Sequence, residues 1–548
     1  MTRHREGHGD TFRRSARLGL QYWQQSLDAP EELREAEITS PSHDSKKPLP
    51  FKVYDDALLR IPLPDPSLVS AHSRKPSVLG GSGGNNNRRG SYPDAEALGT
   101  ILFLVAGISS IEFGPNVAWP YHRYSPSARC FFPTELYFWT HTAPPLPSGL
   151  YYYDPAHHLA VHLSAGDCRS AIGEALGMDL RNASCVMLFA SLFQKTAFHY
   201  GSYAYRLCTQ EAGIAVGTAL MVANAFGLDG RVHYQFLDTV LNELLALTDP
   251  NEAVMCALPL EVRGLNQRVN PPHADDAAPS LLATKLELGR VPDRILRTGR
   301  HAATDELDPD VCSAFIEVDR ASRLQHLRVS RKSVVPDPLP IIADNGDDAA
   351  SLLKALQHRT SGPVDFAMTG EPIGMETLTS ILAHAYALHR SDAAVIAGND
   401  LVHGFLLPLR VTDTLPQLLQ LSSRDHSLTP WRDVDTAAFQ ALFDRTKRFR
   451  NVDHRNANAV VFLVSSPSAF AQFGARAYRV LNQEAGIIAQ RICVMTALYG
   501  LTARIHNGYV APEIIKLLDV DSHDRPLFQI VVGTPKPSGA FRAATMVI

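Results

Sequence analysis

The feature of this sequence that most constrains its fold is an internal duplication. Tyr203–Leu228 and Arg476–Leu501 are identical at ten of 26 positions, where unrelated segments would share roughly two. The same offset of 273 residues places Arg231–His233 on Arg504–His506 without a gap. In a chain of 548 residues, this offset indicates that one folding unit is written twice.

Each copy shows the same succession of elements. An apolar strand precedes a long helix, which we expect to start near Glu211 or Glu484 and to end at Gly227 or Gly500. An alternating strand, a second helix and a final strand follow. The long helix is apolar on nearly all sides, which predicts burial all round, and its small residues would permit close helix–helix contact. The sequence therefore predicts an α+β fold in which two copies pack as a pseudo-dimer within one chain.

Segments rich in charge, proline or glycine separate the predicted units. The N-terminal region has helical spacing at Arg13–Leu27 and ends in the run Gly80–Asn87, whose composition is typical of a flexible linker. Breaker-rich stretches at Asn270–Pro279 and Pro336–Asp348 indicate further boundaries. We predict four regions: an N-terminal arm with its linker at 1–95, a first domain at 96–268, an inter-domain linker and lead-in at 269–345, and a second domain at 346–548.

The composition argues against several classes of protein. Lys and Arg together number 52 against 56 for Asp and Glu, so the net charge of −4 provides no basic field for nucleic acid. The seven cysteines are scattered and form no CxxC pair, which argues against a disulfide framework or a zinc site. The N-terminus lacks the apolar core of a signal peptide, and no apolar run reaches the roughly 20 residues that span a bilayer. We therefore expect a cytoplasmic protein without a metal ion, whose partners are neither nucleic acid nor membrane.

Two segments carry side chains suited to a phosphate-containing cofactor. Arg359 and Ser361 follow a helical run, and two such residues in an extended segment lie on one face, where they can share a phosphate or a ribityl hydroxyl. Arg123, Ser125 and Ser127 stand on a proline-bounded loop that could hold the polar edge of a flavin and its ribityl chain. Either pattern is also common in plain turns and on solvated surfaces.

A third segment carries candidate acid–base residues. If this segment is helical, Lys195 and His199 lie one turn apart on the same face, with Tyr200 adjacent. A basic group beside a phenol can take a carbon-bound proton while hydride leaves for a flavin. The alternative is a tyrosine-rich helix end packed into the core. The second copy has Gln472 in place of His199 and Phe473 in place of Tyr200, so it cannot carry out the same proton transfer.

Several of these segments together resemble the FMN-dependent nitroreductase superfamily, in particular the SagB-type peptide dehydrogenases, which oxidise thiazolines and oxazolines to azoles in ribosomally made peptides. Phe51–Pro64 is similar to the family's lead-in segment, and Leu146–Leu163 to its Gly-Leu-Tyr-x-Tyr-Asp-Pro hairpin. Lys195–Arg206 matches the family's active-site segment, and the resemblance covers most of the chain. It implies a nitroreductase-like fold, an antiparallel sheet with flanking helices, duplicated in one chain.

The resemblance also implies roles for the candidate residues. Tyr200 would carry the proton-transfer role, assisted by His199 and Lys195. The chain departs from the family where His199 replaces a lysine, where Lys195 replaces an arginine, and where Ala128–Cys130 replaces a glycine-rich turn. Histidine can still act as a base near neutral pH. The residues expected to contact FMN are Arg123, Ser125, Ser127, Arg206, Arg359 and Ser361.

In this superfamily the flavin sits between two subunits, so a tandem chain implies that one polypeptide supplies both sides. Because the two copies differ at 199–200 and 472–473, we expect one productive site. The sequence leaves open whether that site combines Tyr200 with Arg359 and Ser361 or with Arg123.

These observations favour an FMN-dependent oxidoreductase that dehydrogenates thiazoline or oxazoline rings in a modified peptide, with a cyclodehydratase complex as a partner. Two alternatives stay open. One is an NAD(P)H-dependent nitro or quinone reductase, since nitroreductases need no separate dinucleotide fingerprint. The other is a flavin-free scaffold that presents a peptide to partner enzymes, which the departures from the family pattern would favour.

Overall fold

The computed structural model describes most of the chain. The predicted linker Gly80–Asn87, the stretch Asn270–Pro279 and the greater part of Pro336–Asp348 lie outside the described residues. The described residues are 2–37, 48–54, 56–66, 93–114, 117, 120–263, 306–327, 346–362, 366–387, 389–393, 401–414, 417–422, 427–446, 452–537 and 541–544.

Helices and strands follow one another in a similar order in the two halves. The helices are α1 (Thr2–Asp28), α2 (Ala95–Ala106), α3 (Arg169–Leu176), α4 (Gln194–Tyr200), α5 (Ala204–Ala225), α6 (Asp238–Leu244), α7 (Ser313–Ser322), α8 (Gly346–His358), α9 (Met375–Ala385), α10 (Thr436–Thr446), α11 (Phe470–Phe473), α12 (Ala477–Leu498) and α13 (Ala511–Leu518). The strands are β1 (Arg60–Pro62), β2 (Ile108–Phe113), β3 (Tyr121–Arg123), β4 (Thr134–Thr140), β5 (Gly149–Asp154), β6 (Leu159–Ala165), β7 (Ala183–Leu192), β8 (Leu228–Gly230), β9 (Glu252–Val262), β10 (Ile373–Gly374), β11 (His403–Pro408), β12 (Val411–Thr412), β13 (Gln417–Leu421), β14 (Leu428–Asp433), β15 (Ala459–Ser465), β16 (Thr502–His506), β17 (Arg525–Gly533) and β18 (Phe541–Ala544).

Two antiparallel sheets with the same strand order form the centres of the two halves. The first has the order β1-β6-β5-β4-β7-β9-β8 and the second the order β14-β13-β11-β15-β17-β16. Apart from β1, which comes from the N-terminal arm, every strand of the first sheet has a counterpart at the same place in the second. The predicted α+β fold and its duplication are therefore confirmed.

The central strand β7 shows why each sheet is covered on both faces. All ten of its residues are buried, because its side chains are apolar on both faces. Cys185, Met187 and Phe189 pack into the cluster that contains α5. The alternate residues Val186 and Leu188 pack against α3 and α6 on the opposite face. Each half is thus a sheet between helical layers, with its long helix turned toward the other half.

The long helices α5 and α12 begin earlier than predicted. Glu211 and Glu484 lie inside these helices, at the third turn, and not in the first turn. The expectation was wrong because the chain already turns into each helix at Gly201 and Gly474, whose φ angles of 52° and 60° a residue with a side chain rarely adopts. The carboxylate of Glu211 is instead bonded to the backbone of another segment, at the amide of Ala128.

The remaining expectations for the long helices are confirmed. Burial is nearly complete along α5, from Ala204 to Ala223, and the glycines that follow the two helices, Gly227 and Gly500, have φ angles of 74° and 70°. These helices are buried in protein. Within the part of the chain that the structure describes, no helix is long and apolar enough to cross a membrane.

The two halves meet where α5 crosses α12. A Cβ atom added at Gly213 would lie 2.2 Å from the carbonyl oxygen of Gln483, and one at Gly486 would lie 2.4 Å from that of Gln210. The two contacts are related by the 273-residue offset, as an approximate two-fold axis requires. Because the backbones approach this closely, only glycine fits at either position.

The N-terminal arm packs across both halves. The helical spacing at Arg13–Leu27 predicts α1 correctly. Trp23 of α1 is 1% exposed and packs edge-on against Phe470 and Tyr478 of the second half. Tyr22 donates a hydrogen bond to the carbonyl oxygen of Ser202 in the first half. The arm is therefore an integral part of the core between the halves.

The helix crossing predicts a strong effect of a single methyl group. We expect Gly213→Ala to lower the free energy of unfolding by about 1–3 kcal/mol, because the added Cβ forces the two backbones apart. Gly374→Ala is the matched control. Its backbone is extended, with φ −73°, and its added Cβ would meet only Thr412 Oγ1 at 4.0 Å. Urea unfolding of the two variants measures the difference, and equal stability would contradict the close crossing.

Candidate active site

A cavity of about 1410 Å³ lies between the two halves and is lined by both. The first half supplies the loop after β3, the end of α4 and one side of α5. The second half supplies the end of α8, the segment that follows it and β16. The C-terminal strand β18 completes one wall, because it crosses from the second half to pair with β2 of the first.

Most of the predicted site residues line this cavity. They include the candidate acid–base pair and both candidate phosphate-binding segments, so the two pairings that the sequence left open are combined in one site. The predicted residues in the lining are Arg123, Ser125, Ser127, His199, Tyr200, Arg359 and Ser361.

Two arginines of the second half are half-buried in the lining, and the described lining places no acid beside either. Arg359 donates to the carbonyl oxygens of Tyr124 and Arg123 at 2.6 and 3.2 Å, but its Nη1 is a buried atom without a hydrogen-bond partner among the described residues. The Nε of Arg504 likewise has no hydrogen-bond partner there, and its guanidinium lies 3.0 Å from the centroid of the Phe366 ring. Burial lowers the pKa of both guanidinium groups, that of Arg504 to about 10. A buried cation without a counter-charge is costly, so this wall is suited to an anion.

His506, next to Arg504, presents a hydrogen-bond donor to the same cavity. Burial and the neighbouring His454 and Arg504 lower the pKa of His506 well below its usual value, so its ring is neutral. The backbone N–H of Gly508 donates to Nδ1 at 3.2 Å, which places the ring proton on Nε2. That Nε2 is buried without a partner among the described residues. Arg504 and His506 were not predicted to lie in the site, although the Arg-x-His pattern repeated in the two copies was a signal for them.

The loop that carries Ser125 and Ser127 is held in an unusual conformation. Arg129, Cys130 and Phe132 have φ angles of 54°, 57° and 48°, a region that costs a residue with a side chain about 1–2 kcal/mol. The resemblance noted above has glycines at this turn, and the backbone keeps the glycine-like geometry although the side chains are larger. Strain of this kind is found mainly at functional sites.

The two loop serines already have protein partners. Ser125 Oγ lies 2.7 Å from Thr218 Oγ1 of α5. Ser127 Oγ accepts a hydrogen bond from the backbone N–H of Phe132 and also bonds to Glu211. Burial raises the pKa of Glu211 to about 7. Hydrogen bonding to Ser127 and to the amide of Ala128 opposes this rise. These hydroxyls therefore hold the loop on α5.

Tyr200 and His199 stand together in the lining. Their rings meet edge to face with centroids 4.8 Å apart. Burial raises the pKa of Tyr200, while a hydrogen bond from Arg129 and the charge of Arg34 oppose that shift. The phenol and the imidazole are therefore placed side by side in the cavity, and their acid–base role stays a prediction.

Lys195 does not take part in this arrangement. Its side chain is 2% exposed and pairs with Glu135 of β4, away from the cavity. Glu135 also accepts a hydrogen bond from Tyr152 at 2.9 Å. The helical spacing to His199 is correct, but α4 has only seven residues and its first turn is buried against the sheet. The structure therefore places Lys195 in the core and not beside the catalytic candidates.

Arg206 also lies outside the cavity lining. Its guanidinium donates to the carbonyl oxygen of Leu527 at 3.0 Å and to Tyr509 Oη at 2.8 Å, both in the second half. Its counterpart Arg479 donates to the carbonyl oxygen of Val254 in the first half. The offset of 273 relates these contacts, so Arg206 is one of a pair of cross-links between the halves.

At the position related to the cavity by the approximate two-fold axis, described residues make charged and polar contacts with one another. Arg476, the counterpart of Tyr203, pairs with Asp238 at 2.5 Å. Asp392 accepts hydrogen bonds from the backbone N–H groups of Tyr234 and Gln235, which brings a second-half segment onto the first half. Helix α1 covers the remaining side, because the amide of Ala475 donates to Ser15 Oγ. Contacts between described residues thus occupy part of the second position, whereas the first position holds the cavity of about 1410 Å³.

The chain resembles solved structures in its fold. A candidate nitroreductase from Anabaena variabilis aligns over 93% of this chain and 100% of its own, with a TM-score of 0.64 and 20% identity. A candidate nitroreductase from Ralstonia eutropha covers 39% of this chain at 19% identity, with 94% of its own chain aligned and a TM-score of 0.28. A chain of the E. coli microcin synthetase McbBCD complex covers 47% at 16% identity, with 94% of its own chain aligned and a TM-score of 0.27. No protein-family model and no curated protein sequence matches the chain.

The alignment with the Anabaena protein extends over both halves of the chain. Because the identity is 20%, it establishes the architecture and leaves the reaction to be argued from the site. The two antiparallel sheets, the crossing of α5 and α12 and this similarity agree. The chain has a nitroreductase-like fold, present twice in one polypeptide.

Proposed function

We propose that this protein is an FMN-dependent oxidoreductase that dehydrogenates thiazoline or oxazoline rings in a modified peptide. The observation that carries the proposal is the cavity in which Tyr200 and His199 lie together with Arg359 and Arg504, two half-buried arginines beside which the described lining places no acid. The resemblance of the active-site segment to peptide dehydrogenases supports the choice of substrate. A protein partner that forms the rings, such as a cyclodehydratase, would fit this role.

The residues of the cavity fit FMN in charge and in size. The described lining places no acid beside the half-buried cations Arg359 and Arg504, so a phosphate would supply their counter-charge, and Ser361 belongs to the same lining. The neutral donor at His506 Nε2 would meet an acceptor on the flavin ring system. A volume of about 1410 Å³ exceeds the roughly 300–1,000 Å³ of a single-ligand pocket, which leaves room for cofactor and substrate together.

The cofactor, when bound, would supply a hydride acceptor. The chain's own contribution would be to orient the ring and to take the proton that leaves a neighbouring carbon. Tyr200 is placed for this step, because Arg129 and Arg34 stabilise its phenolate against the effect of burial. Because the phenol is protonated to begin with, His199, in edge-to-face contact with Tyr200, would take the phenol's own proton as the phenol oxygen accepts the proton from carbon. Its half-exposed ring can pass the proton to solvent.

A single reactive site per chain follows from the asymmetry of the two halves. The related position has Phe473 in place of Tyr200, and Phe473 is 6% exposed. Arg476, the counterpart of Tyr203, is buried there in an ion pair with Asp238. The second half would therefore serve as the phosphate-binding wall of the site in the first half.

The proposal predicts a specific defect in Tyr200→Phe. We expect this variant to keep its flavin and to lose about 10²–10⁴-fold in kcat, since it lacks the group that transfers the proton. The assay is the loss of two hydrogens from a short synthetic peptide that carries one thiazoline, followed by mass spectrometry. Tyr499→Phe is the control, because Tyr499 is 48% exposed and outside the cavity.

Two results would contradict this assignment. Undiminished thiazole formation by Tyr200→Phe would remove Tyr200 from the reaction. Rapid NAD(P)H oxidation with a nitroaromatic acceptor, without any dehydrogenation of the peptide, would assign the same site to the reductase alternative.

The position of Arg504, a charge without an acid beside it in the described lining, predicts different effects of its replacement on FMN binding and on thermal stability. We expect Arg504→Gln to weaken FMN binding about tenfold or more, because a charge-assisted contact with phosphate is lost. The flavin-free variant should melt at about the same temperature as the wild type, since removal of a half-buried charge without an acid offsets the loss of its contact with the Phe366 ring. Flavin fluorescence quenching and thermal unfolding measure the two effects, with Arg17→Gln on the exposed face of α1 as the control. Unchanged FMN affinity would contradict the phosphate site.

A further inference from the structure

A second group of cations lies beside Tyr200, apart from the arginines that face the proposed phosphate. Arg34 comes from the N-terminal arm, and its guanidinium lies 4.0 Å from the ring centroid of Tyr203 and 5.6 Å from that of Tyr200. Its Nε is buried without a partner among the described residues. Stacking on two phenol rings fixes the plane of the guanidinium and leaves its hydrogen-bonding edge available.

Arg129 approaches the same tyrosine from the strained loop. Its side chain is exposed, bonds to the Tyr200 hydroxyl and extends from a backbone with φ 54°. This conformation disfavours a side chain, and the guanidinium is nevertheless held next to the reactive phenol. Arg34 and Arg129 thus flank Tyr200.

The described lining offers no carboxylate to balance these two charges. Its single acid is Glu211, whose carboxyl is bonded to Ala128 and Ser127 and whose pKa is raised to about 7. The lysine and arginine side chains of the lining outnumber it by seven to one. They are Arg34, Arg123, Arg129, Lys354, Arg359, Arg504 and Arg542.

The two groups of cations belong to different walls. Arg359 and Arg504 stand at the end of α8 and on β16 of the second half, whereas Arg34 and Arg129 belong to the arm and to the first half. One phosphate accounts for the former group and leaves the pair beside Tyr200 without an anion. Any anion bound there would lie next to the substrate carbon that loses its proton to Tyr200.

We propose that Arg34 and Arg129 form a carboxylate-binding subsite, and that the ring oxidised here carries a free carboxylate on the carbon that loses its proton. This inference rests on the proposed function and names its substrate class, an azoline-4-carboxylate in which that carboxyl group is not part of an amide. Two guanidinium groups can bind the carboxylate in bidentate fashion. Neutralisation of the carboxylate makes the adjacent C–H bond more acidic, which assists its removal by Tyr200.

The test is an equilibrium comparison of two probes that cannot react. Thiazole-4-carboxylate and thiazole-4-carboxamide are titrated into the FMN-saturated protein in phosphate-free buffer, with isothermal titration calorimetry as the readout. We expect the carboxylate to bind about tenfold more tightly, as a hydrogen bond to a charged group allows. In Arg34→Gln the preference should fall to about twofold or less, and in Arg17→Gln it should be unchanged.

Three outcomes would overturn the subsite. They are equal affinity of the two probes in the wild type, no measurable binding of either probe, and an unchanged preference in Arg34→Gln. A loss of FMN affinity in Arg34→Gln with the probe preference intact would assign Arg34 to the cofactor instead. Because the probes are already aromatic, the comparison is independent of turnover. If the protein took up no flavin, the proposed function would fail, and the same titration on the flavin-free chain would still decide the subsite.

Discussion

The structure depends on the crossing of α5 and α12, where two glycines bring the backbones of the halves into contact. Gly213 and Gly486 meet the backbone of the opposite helix at distances that no Cβ would permit. The close approach lets Arg206 and Arg479 reach across to carbonyl oxygens of the other half. It also brings the end of α8 and β16 within reach of Tyr200, so that one cavity receives groups from both copies. A looser crossing would separate the proposed proton acceptor from the proposed phosphate site.

Duplication in a single chain has allowed the two related positions to diverge. At one position the lining keeps arginines without an acid beside them, a neutral histidine donor and a tyrosine–histidine pair. At the other, Arg476 and Asp238 form a buried ion pair, and Asp392 binds two backbone amides. The Arg476–Asp238 pair balances a buried charge inside the protein, whereas the described lining of the open cavity places no acid beside Arg359 or Arg504. Polar atoms without a partner among the described residues occur at both positions, namely Arg231 Nε and His233 Nε2 at one and Arg504 Nε and His506 Nε2 at the other. The position with the cavity is thus available for chemistry.

Much of the fold could be predicted from the sequence because it rests on local pattern and on the repeat. The long helices, the glycines that follow them and the duplicated sheet are all visible as periodicity and identity. The starts of α5 and α12 were misjudged because acidic residues ordinarily mark first turns, whereas Glu211 here bonds to a distant loop. Sequence spacing also could not show that Lys195 pairs with Glu135 in the core, because Glu135 lies on a distant strand.

The site was predicted in part. Residues with a local motif, such as Tyr200 and Arg359, lie in the cavity, whereas Arg206 looked like a site cation and is a cross-link. Arg34, Arg504 and His506 were missed as site residues because their role depends on which segments meet between the halves. No spacing along the chain reveals that meeting.

In the function proposed here, the two halves together form one flavin site. The most direct test is the number of FMN molecules per chain, measured from the flavin released by denaturation of the FMN-saturated, desalted protein. We expect one FMN per chain. Two per chain would show that the second position is open, and a chain that takes up no FMN would contradict the assignment of the cavity.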